Sequence, residues 1–204
     1  VLERLNATAI LAGTSLLLCS VFGLLVGIVS AVRQFSWVDR SLTVLVLIGI
    51  STPSFFLGLL LILFFAVQLR WFPVSGMVAI YGGGDLPDIL HHLALPAFTL
   101  AVVATGVIAR LTRTAMLEVL RQDYIRTARA KGLSESRVVL AHAFRAALVT
   151  IIPVIGIQAG FVLGGAVYIE TVFQWPGIGS MLVNAISTRD LLLVQGGVLV
   201  VAAA

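Results

Sequence analysis

The sequence predicts an all-α, polytopic transmembrane helical bundle that carries one charged helical loop outside the membrane. Hydrophobic residues make up 60% of the 204 residues and charged residues only 11%, and the mean hydropathy is +1.12, far from the composition of a soluble domain. The apolar runs are long and continuous rather than alternating, which favours helices over barrel strands. Segment 118–147 interrupts these runs with nine acidic and basic residues.

Five apolar runs are the candidate membrane spans. Crossing a bilayer takes roughly 20 residues. The runs are 5–32, 42–69, 92–109, 148–169 and 191–204, of which the third and the last are short. Pro53, Pro96 and Pro153 lie at the start of spans or interrupt them. Each proline leaves backbone groups without their helical hydrogen bonds, and neighbouring protein or water must satisfy those groups.

The distribution of basic residues predicts the orientation of the spans. Arg33 and Arg40 follow the first run, and most other basic residues lie between Arg110 and Arg145. Short cytoplasmic loops carry an excess of Lys and Arg, so both regions are expected inside and the start of the chain outside. The formal charge of +4 reflects this asymmetry, since no basic and aromatic groove for nucleic acid is evident.

Segment 118–147 predicts two helices separated by a sharp turn. Good helix formers extend to Lys131, Gly132 is placed to end the first helix, and Ser134 is placed to begin a second helix that runs through Arg145. On the first helix Tyr124, Ala128 and Lys131 are expected on one face. That helix either docks into a groove on a cytoplasmic partner or lies on anionic lipid headgroups.

The loop carries a family resemblance. The sequence DYIRTARAKGL, followed by RVVLAHAFRAAL, resembles the signature loop of the permease subunits of bacterial ABC importers, in the dipeptide, oligopeptide and nickel branch. The resemblance covers essentially the whole chain through segments such as WVDRSLTVLVLIGISTPSFFLG, HLALPAFTLA, ARLTRTAMLEVL, GGAVYIETVFQWPGIG and RDLLLVQGG. The widespread form of the motif has a glutamate and two alanines where this chain has Arg126, Thr127 and Ala128.

The resemblance implies a six-span permease domain of the inner membrane, of which residues 1–204 are expected to hold five spans and to lack the first span and the C-terminal end. It implies three kinds of partner besides membrane lipid: a second permease, two cytoplasmic ATPases that bind the ATP and Mg²⁺, and an extracytoplasmic substrate-binding protein. No cofactor is expected in this chain, which has no phosphate-binding loop. The implied ATPase-coupling residues are Asp123, Tyr124, Arg126, Thr127, Ala128, Arg129, Ala130, Lys131, Gly132 and Ser134.

Glycines four residues apart predict close helix packing. Gly156, Gly160 and Gly164 form one such series and Gly23 with Gly27 another. The later series either packs within the chain or lies at the interface with the partner permease beside the translocation path. Gln158, the strongly polar residue of that span, either faces the path or bonds across helices.

Segment 170–190 contains the turn WPGIG and a short helix that returns to the membrane surface. By resemblance, this region is expected to contact the binding protein through Glu170, Trp175 and Asp190.

Catalytic and metal sites are not expected. His91 and His92 are adjacent and point in different directions, and His142 stands alone in the loop. The resemblance implies a non-catalytic channel-forming subunit of an ATP-driven importer, with peptide as the default substrate and nickel or another small solute open. The alternatives are an ion-coupled secondary transporter and a membrane scaffold with a basic cytoplasmic loop.

Overall fold

The computed structural model describes residues 2–79 and 83–203, and every regular element within them is helical. The helices are α1 (Leu2–Val32), α2 (Trp37–Ser51), α3 (Ser54–Gln68), α4 (Leu86–Leu120), α5 (Asp123–Ala130), α6 (Glu135–Val172), α7 (Ile178–Ser187) and α8 (Leu191–Ala203). The last turns of α3, at Ile62–Gln68, and an early part of α6, at Val138–Phe144, are π-helical.

Within the described residues, three helices are long and apolar enough to cross a membrane, namely α1, α4 and α6. A fourth span results if α2 and α3 count as one broken span. The break lies at Thr52 and Pro53, because proline lacks an amide hydrogen and restricts the residue before it. Pro96 and Pro153, in contrast, lie inside continuous helices. The predicted run 191–204 forms a helix of only 13 residues.

The chain divides into two compact units. One comprises residues 16–51 and 102–160, and the other comprises residues 1–15, 52–101 and 161–204. In the first unit α1 packs tightly on α4 through small residues. A Cβ at Gly23 would lie 2.7 Å from the side chain of Ile108, and one at Gly27 would lie 2.5 Å from Cβ of Thr112. The prediction of close packing at these two glycines is confirmed.

The second unit contains the short helix predicted from SMLVNAI, which is α7. A backbone turn through Gly177 precedes α7, and α7 then packs on α8, where a Cβ at Gly197 would lie 2.5 Å from the Leu182 side chain. Gly58 of α3 lies close to Thr99 and Phe173, so α3 approaches α4 and the end of α6 within this unit.

Replacing Gly27 by alanine should destabilise the protein by about 1–3 kcal/mol, because the added methyl overlaps Thr112 and the Ala109 carbonyl oxygen. Gly13→Ala is the matched control in the same helix, since a Cβ there meets no atom within 4 Å. Thermal unfolding of the purified protein in detergent measures both effects. Equal melting temperatures for the two variants would contradict the packing described here.

Candidate functional site

Helix α5 begins after a break in the chain rather than as a continuation of α4. Helix α4 ends at Leu120, and Gln122 is extended, with φ −72° and ψ 151°. The Gln122 carbonyl oxygen accepts hydrogen bonds from the backbone amides of Ile125 and Arg126 at 3.1 and 3.3 Å. Asp123 occupies the first turn, where a carboxylate interacts favourably with the positive end of the helix dipole. The prediction that the helix would start at residue 118 was therefore wrong, because residues 118–120 belong to α4.

The predicted end of this helix at Gly132 is confirmed. Gly132 has φ +78°, which side chains with a Cβ rarely adopt. The Gly132 amide donates to the Arg129 carbonyl at 2.9 Å, and the Leu133 amide donates to the Ala128 carbonyl at 3.4 Å. This pair of bonds is a Schellman motif, which satisfies the last carbonyl groups of the helix.

Ser134 begins the next helix through its backbone alone. It has an extended conformation, and its carbonyl oxygen accepts from the Val138 amide at 3.0 Å, but its hydroxyl forms no capping bond. That helix does not end near Arg145 as predicted, because it continues through the π-helical segment into the long span α6. The last part of the exposed loop, from Glu135 onwards, and the membrane span thus form one helix.

The inner face of α5 is apolar and buried. The side chain of Ile125 is 0% exposed, and Ala128 is also buried. Both belong to a hydrophobic cluster in the unit formed by residues 16–51 and 102–160. The other fully buried members are Ala31, Ala115, Met116, Val138, Val139, Ala143, Ala147 and Ile151. Tyr124 and Lys131 are exposed whereas Ala128 is buried, so the three residues do not form one exposed face.

The outer face of α5 and the turn after it carry the remaining predicted coupling residues, all of them exposed. They are Asp123, Tyr124, Arg126, Thr127, Arg129, Ala130, Lys131, Gly132 and Ser134. Ala128 is corrected to a packing residue, since its methyl lies in the cluster described above. The exposed set provides aromatic, basic and small side chains over two helical turns.

Intrachain carboxylates pair with the two arginines of this face. Arg129 donates from Nε and Nη2 to the two carboxylate oxygens of Glu135 at 3.0 and 2.6 Å. The hydrogen bonds that Arg129 donates to Glu135 raise the pKa of Arg129. Arg126 lies 3.6 Å from Asp123, with both side chains largely exposed. The bidentate pair fixes the turn at Gly132, because it joins α5 to the first residue of α6.

A basic groove lies beside this turn in the same unit. Its volume is about 640 Å³, and its lining residues are Leu133, Arg137, Ala141, His142, Arg145 and Ala146. Neither arginine of the groove forms an ion pair within the described residues. The groove and the exposed side of α5 each carry more basic than acidic side chains.

A buried ion pair in the same unit was not anticipated from the sequence. Asp39, in the first turn of α2, is 4% exposed. Arg113 of α4 donates from Nε and Nη2 to its two carboxylate oxygens, both at 2.8 Å. The Ser30 hydroxyl and the Phe35 amide also donate to this carboxylate. Asp39 therefore ties α1 and α2 to α4, the helix that leads into α5.

The glycine series in α6 is open rather than packed. A Cβ at Gly156, Gly160 or Gly164 would meet no atom of the described chain within 4 Å. The expectation of ordinary packing within the chain is therefore wrong, and an interface with a partner remains a proposal. Gln158 is 5% exposed, whereas its neighbour Ile157 is 62% exposed, so Gln158 lies away from the most open side of α6.

Two of the three predicted binding-protein contacts are buried. The Glu170 carboxylate accepts hydrogen bonds from the Thr8 hydroxyl at 2.6 Å and from the Ser180 amide at 3.0 Å. The indole of Trp175 donates to the Ala7 carbonyl oxygen at 2.8 Å. Both side chains are 0% exposed. Glu170 and Trp175 are corrected to structural residues that hold the start of α7.

Asp190 remains exposed, and its carboxylate accepts a hydrogen bond from the Leu193 amide at 3.1 Å. This contact caps the start of α8. Contact with a binding protein remains a proposal for Asp190 alone.

The histidines bond to backbone and carboxylate groups. His91 Nε2 lies 2.8 Å from the Trp71 carbonyl oxygen, and His92 Nδ1 lies 3.1 Å from the Asp88 carboxylate. Within residues 2–79 and 83–203, no group of three or more potential ligand side chains is placed to hold a metal ion.

Residues 23–204 match the family described as the binding-protein-dependent transport system inner membrane component. The chain belongs to this family. The di/tripeptide transport system permease protein DppB of Pseudomonas aeruginosa is 45% identical over 214 residues, covering 96% of this chain and 64% of the relative. The dipeptide transport system permease protein DppB of Escherichia coli K12 is 41% identical over 220 residues, covering 98% of this chain and 65% of the relative. The chain thus spans a little under two thirds of the length of these relatives.

Solved structures share the fold. A chain of the MetNI methionine ABC transporter in an inward-facing conformation superposes with a TM-score of 0.73 at 20% identity, covering 100% of this chain and 95% of that chain. A chain of an amino acid ABC transporter gives a TM-score of 0.69 at 13% identity, covering 99% and 84%. The predicted all-α membrane fold is confirmed.

Removing Arg113 should destabilise the protein by about 3–5 kcal/mol, because the Asp39 charge stays buried without its partner. Removing Asp39 should cost less, because the Arg113 side chain is 29% exposed. The single variants Asp39→Ala and Arg113→Met test this expectation. The measurement is the thermal unfolding of each purified variant in detergent. The double variant should recover most of the lost stability, since neither charge remains. A double variant whose loss equals the sum of the two single losses would contradict an interaction between them.

Proposed function

We propose that the chain is the channel-forming membrane subunit of an ATP-driven importer and that the outer face of α5 docks onto a cytoplasmic ATPase. The observation that carries this proposal is the two-sided character of α5. Its inner face is anchored by Ile125 and Ala128 in a hydrophobic cluster, while its outer face presents exposed aromatic and basic side chains. A helix of eight residues held in this way is suited to fit a groove on a partner.

The position of α5 in the chain supports a role in coupling. It lies between α4 and α6, both of which are long and apolar enough to cross the membrane. The cluster that holds Ile125 also includes Met116 of α4 and Ile151 of α6. Because packed cores transmit displacement instead of absorbing it, movement of α5 by an ATPase would move the ends of both spans.

The remaining partners follow from the family. The family description supports an extracytoplasmic binding protein that delivers the solute. We propose a second permease and two ATPases that bind ATP and Mg²⁺ as the other partners. The relatives are named as di/tripeptide and dipeptide permeases, and we assign peptide as the substrate class. The open glycine face at Gly156 and Gly160 is assigned to the second permease, because small residues let helices approach closely.

The basic residues set the proposed orientation. Arg110, Arg121, Arg137 and Arg145 lie on the same side as α5, and short loops rich in Lys and Arg stay in the cytoplasm. We therefore assign the loop formed by residues 118–147 to the cytoplasm and the N-terminal end of the chain to the outside.

Cysteines at the outer face of α5 should crosslink to the ATPase. Thr127 and Ala130 are both exposed. The two variants are Thr127→Cys and Ala130→Cys. In membranes that contain the complete transporter, a bifunctional reagent of short reach should join either cysteine to a cysteine in the ATPase groove. The yield should change on adding ATP, because closure of the ATPases moves the groove.

Ala128→Cys is the matched control for this experiment. It lies on the same helix but is 8% exposed and packs against the cluster, so it should give little crosslink. Equal yields at residues 127, 128 and 130 would indicate nonspecific reaction. No crosslink at residues 127 and 130 in an intact complex would contradict the docking proposal.

Substituting Gly132 should weaken coupling through the backbone. A Cβ at this residue meets no neighbour within 4 Å, so its cost of about 1–2 kcal/mol comes from the left-handed conformation alone. Gly132→Val should lower peptide uptake in cells more than Gly132→Asn, because asparagine tolerates this conformation. The amount of permease in the membrane, measured by immunoblotting, controls for folding. Equal uptake by the two variants would contradict the role assigned to the turn.

A further inference from the structure

The turn between α1 and α2 lies at a membrane surface. It consists of residues 33–36 and joins α1, a candidate span, to the broken pair formed by α2 and α3. Four residues span only about 14 Å even when fully extended, so the turn stays within reach of the headgroup region where α1 ends. Its side chains therefore face lipid headgroups or a protein at that level.

Phe35 is held in a strained conformation in this turn. Its φ is +65°, which is rare for a residue with a bulky side chain. Its amide donates to the buried Asp39 carboxylate at 3.0 Å, and Arg113 holds that carboxylate in place. The side chain is nevertheless 75% exposed. The ion pair thus stabilises a turn that directs an aromatic ring outwards.

Trp37 continues this exposed aromatic surface. It is 81% exposed and occupies the first turn of α2, and the Ser36 hydroxyl accepts from the Asp39 amide at 3.2 Å to cap that helix. The Arg40 guanidinium lies over the Trp37 ring, 5.7 Å from its centroid. Aromatic rings with a polar edge favour the interface between hydrocarbon and water.

The turn also carries uncompensated positive charge. Arg33 and Arg40 are exposed, and neither forms an ion pair with a carboxylate of the described residues. Asp39, the one carboxylate in the turn and the start of α2, is buried and neutralised by Arg113. The exposed part of the turn therefore has two cations beside two aromatic rings.

We infer that this turn is a binding site for an anionic phospholipid headgroup. Arg33 and Arg40 hold the phosphate groups, and Phe35 and Trp37 lie among the glycerol and upper acyl carbons. The arginines match anionic lipid because each basic side chain at a membrane surface is attracted to negatively charged headgroups. The Asp39–Arg113 pair is the positioning element, since it fixes the strained backbone that presents the rings.

Lipid-selective quenching of Trp37 tests this site. The full-length permease in its assembled complex is placed in nanodiscs of fixed phosphatidylglycerol and phosphatidylcholine content, in which only one of the two lipids carries bromine. The emission of Trp37 is obtained by subtracting the spectrum of a Trp37→Phe complex. Brominated phosphatidylglycerol should quench Trp37 about threefold more per mole than brominated phosphatidylcholine, because the arginines enrich anionic lipid there.

Two double variants test the role of Arg33 and Arg40. Arg33→Gln with Arg40→Gln should make the two lipids quench equally. Arg4→Gln with Arg189→Gln removes the same charge from exposed residues of the other compact unit, and it should leave the phosphatidylglycerol preference unchanged. Retained quenching of exposed Trp71 shows that each complex is folded and inserted.

Equal quenching by the two lipids in the unmodified complex would overturn the inference. Absence of quenching by either lipid would also overturn it, since the turn would then be covered by protein. A preference that survives the Arg33 and Arg40 substitutions would assign anionic lipid to another site.

Discussion

Burial of Ile125 is the interaction on which the rest of the loop depends. Helix α5 is short and carries five charged residues near or within it, so its own hydrogen bonds cannot keep it folded in water. Ile125 and Ala128 bury apolar surface against α4 and α6, at about 25 cal/mol per Å² of area removed from water. The outer face is then free to be polar, which is what a docking surface needs. Recognition and anchoring are thus assigned to opposite sides of one helix.

Two further contacts make the anchored helix part of a larger unit. The Arg129–Glu135 pair joins α5 to α6 across the Gly132 turn, and the Asp39–Arg113 pair joins α1 and α2 to α4. Both arginines bind both oxygens of the carboxylate, a geometry that fixes orientation as well as distance. The pairs differ in environment, since Asp39 is buried whereas Glu135 is exposed. The buried pair therefore bears on stability, and the exposed pair bears mainly on the shape of the turn.

The parts of the structure that the sequence predicted are those set by local chemistry. Long apolar runs predicted α1, α4 and α6, and Gly132 predicted the left-handed residue that ends α5. The short helix α7 was predicted from its apolar pattern and the turn before it.

Contacts between distant residues were not predictable in the same way. Arg113 and Asp39 are 74 residues apart, and Glu170 meets Thr8 at a separation of 162 residues. An acidic residue beside a membrane span looks exposed in sequence, yet Glu170 is buried because two donors from separate elements reach it. Ile125 was overlooked because the prediction followed the charged residues of the loop. An apolar residue at position i with an alanine at i+3 was a signal that could have identified the inner face.

The most direct test of the account is the number of peptide molecules transported per ATP hydrolysed by the complete transporter with Ile125→Ala. The reconstituted complex should continue to hydrolyse ATP while uptake falls, because a less firmly anchored α5 transmits less of the ATPase movement to the spans. Leu140→Ala is the control, since this side chain is 58% exposed and the ratio should not change. An unchanged ratio in the Ile125→Ala complex would contradict the claim that the buried face of α5 connects the ATPase to the membrane.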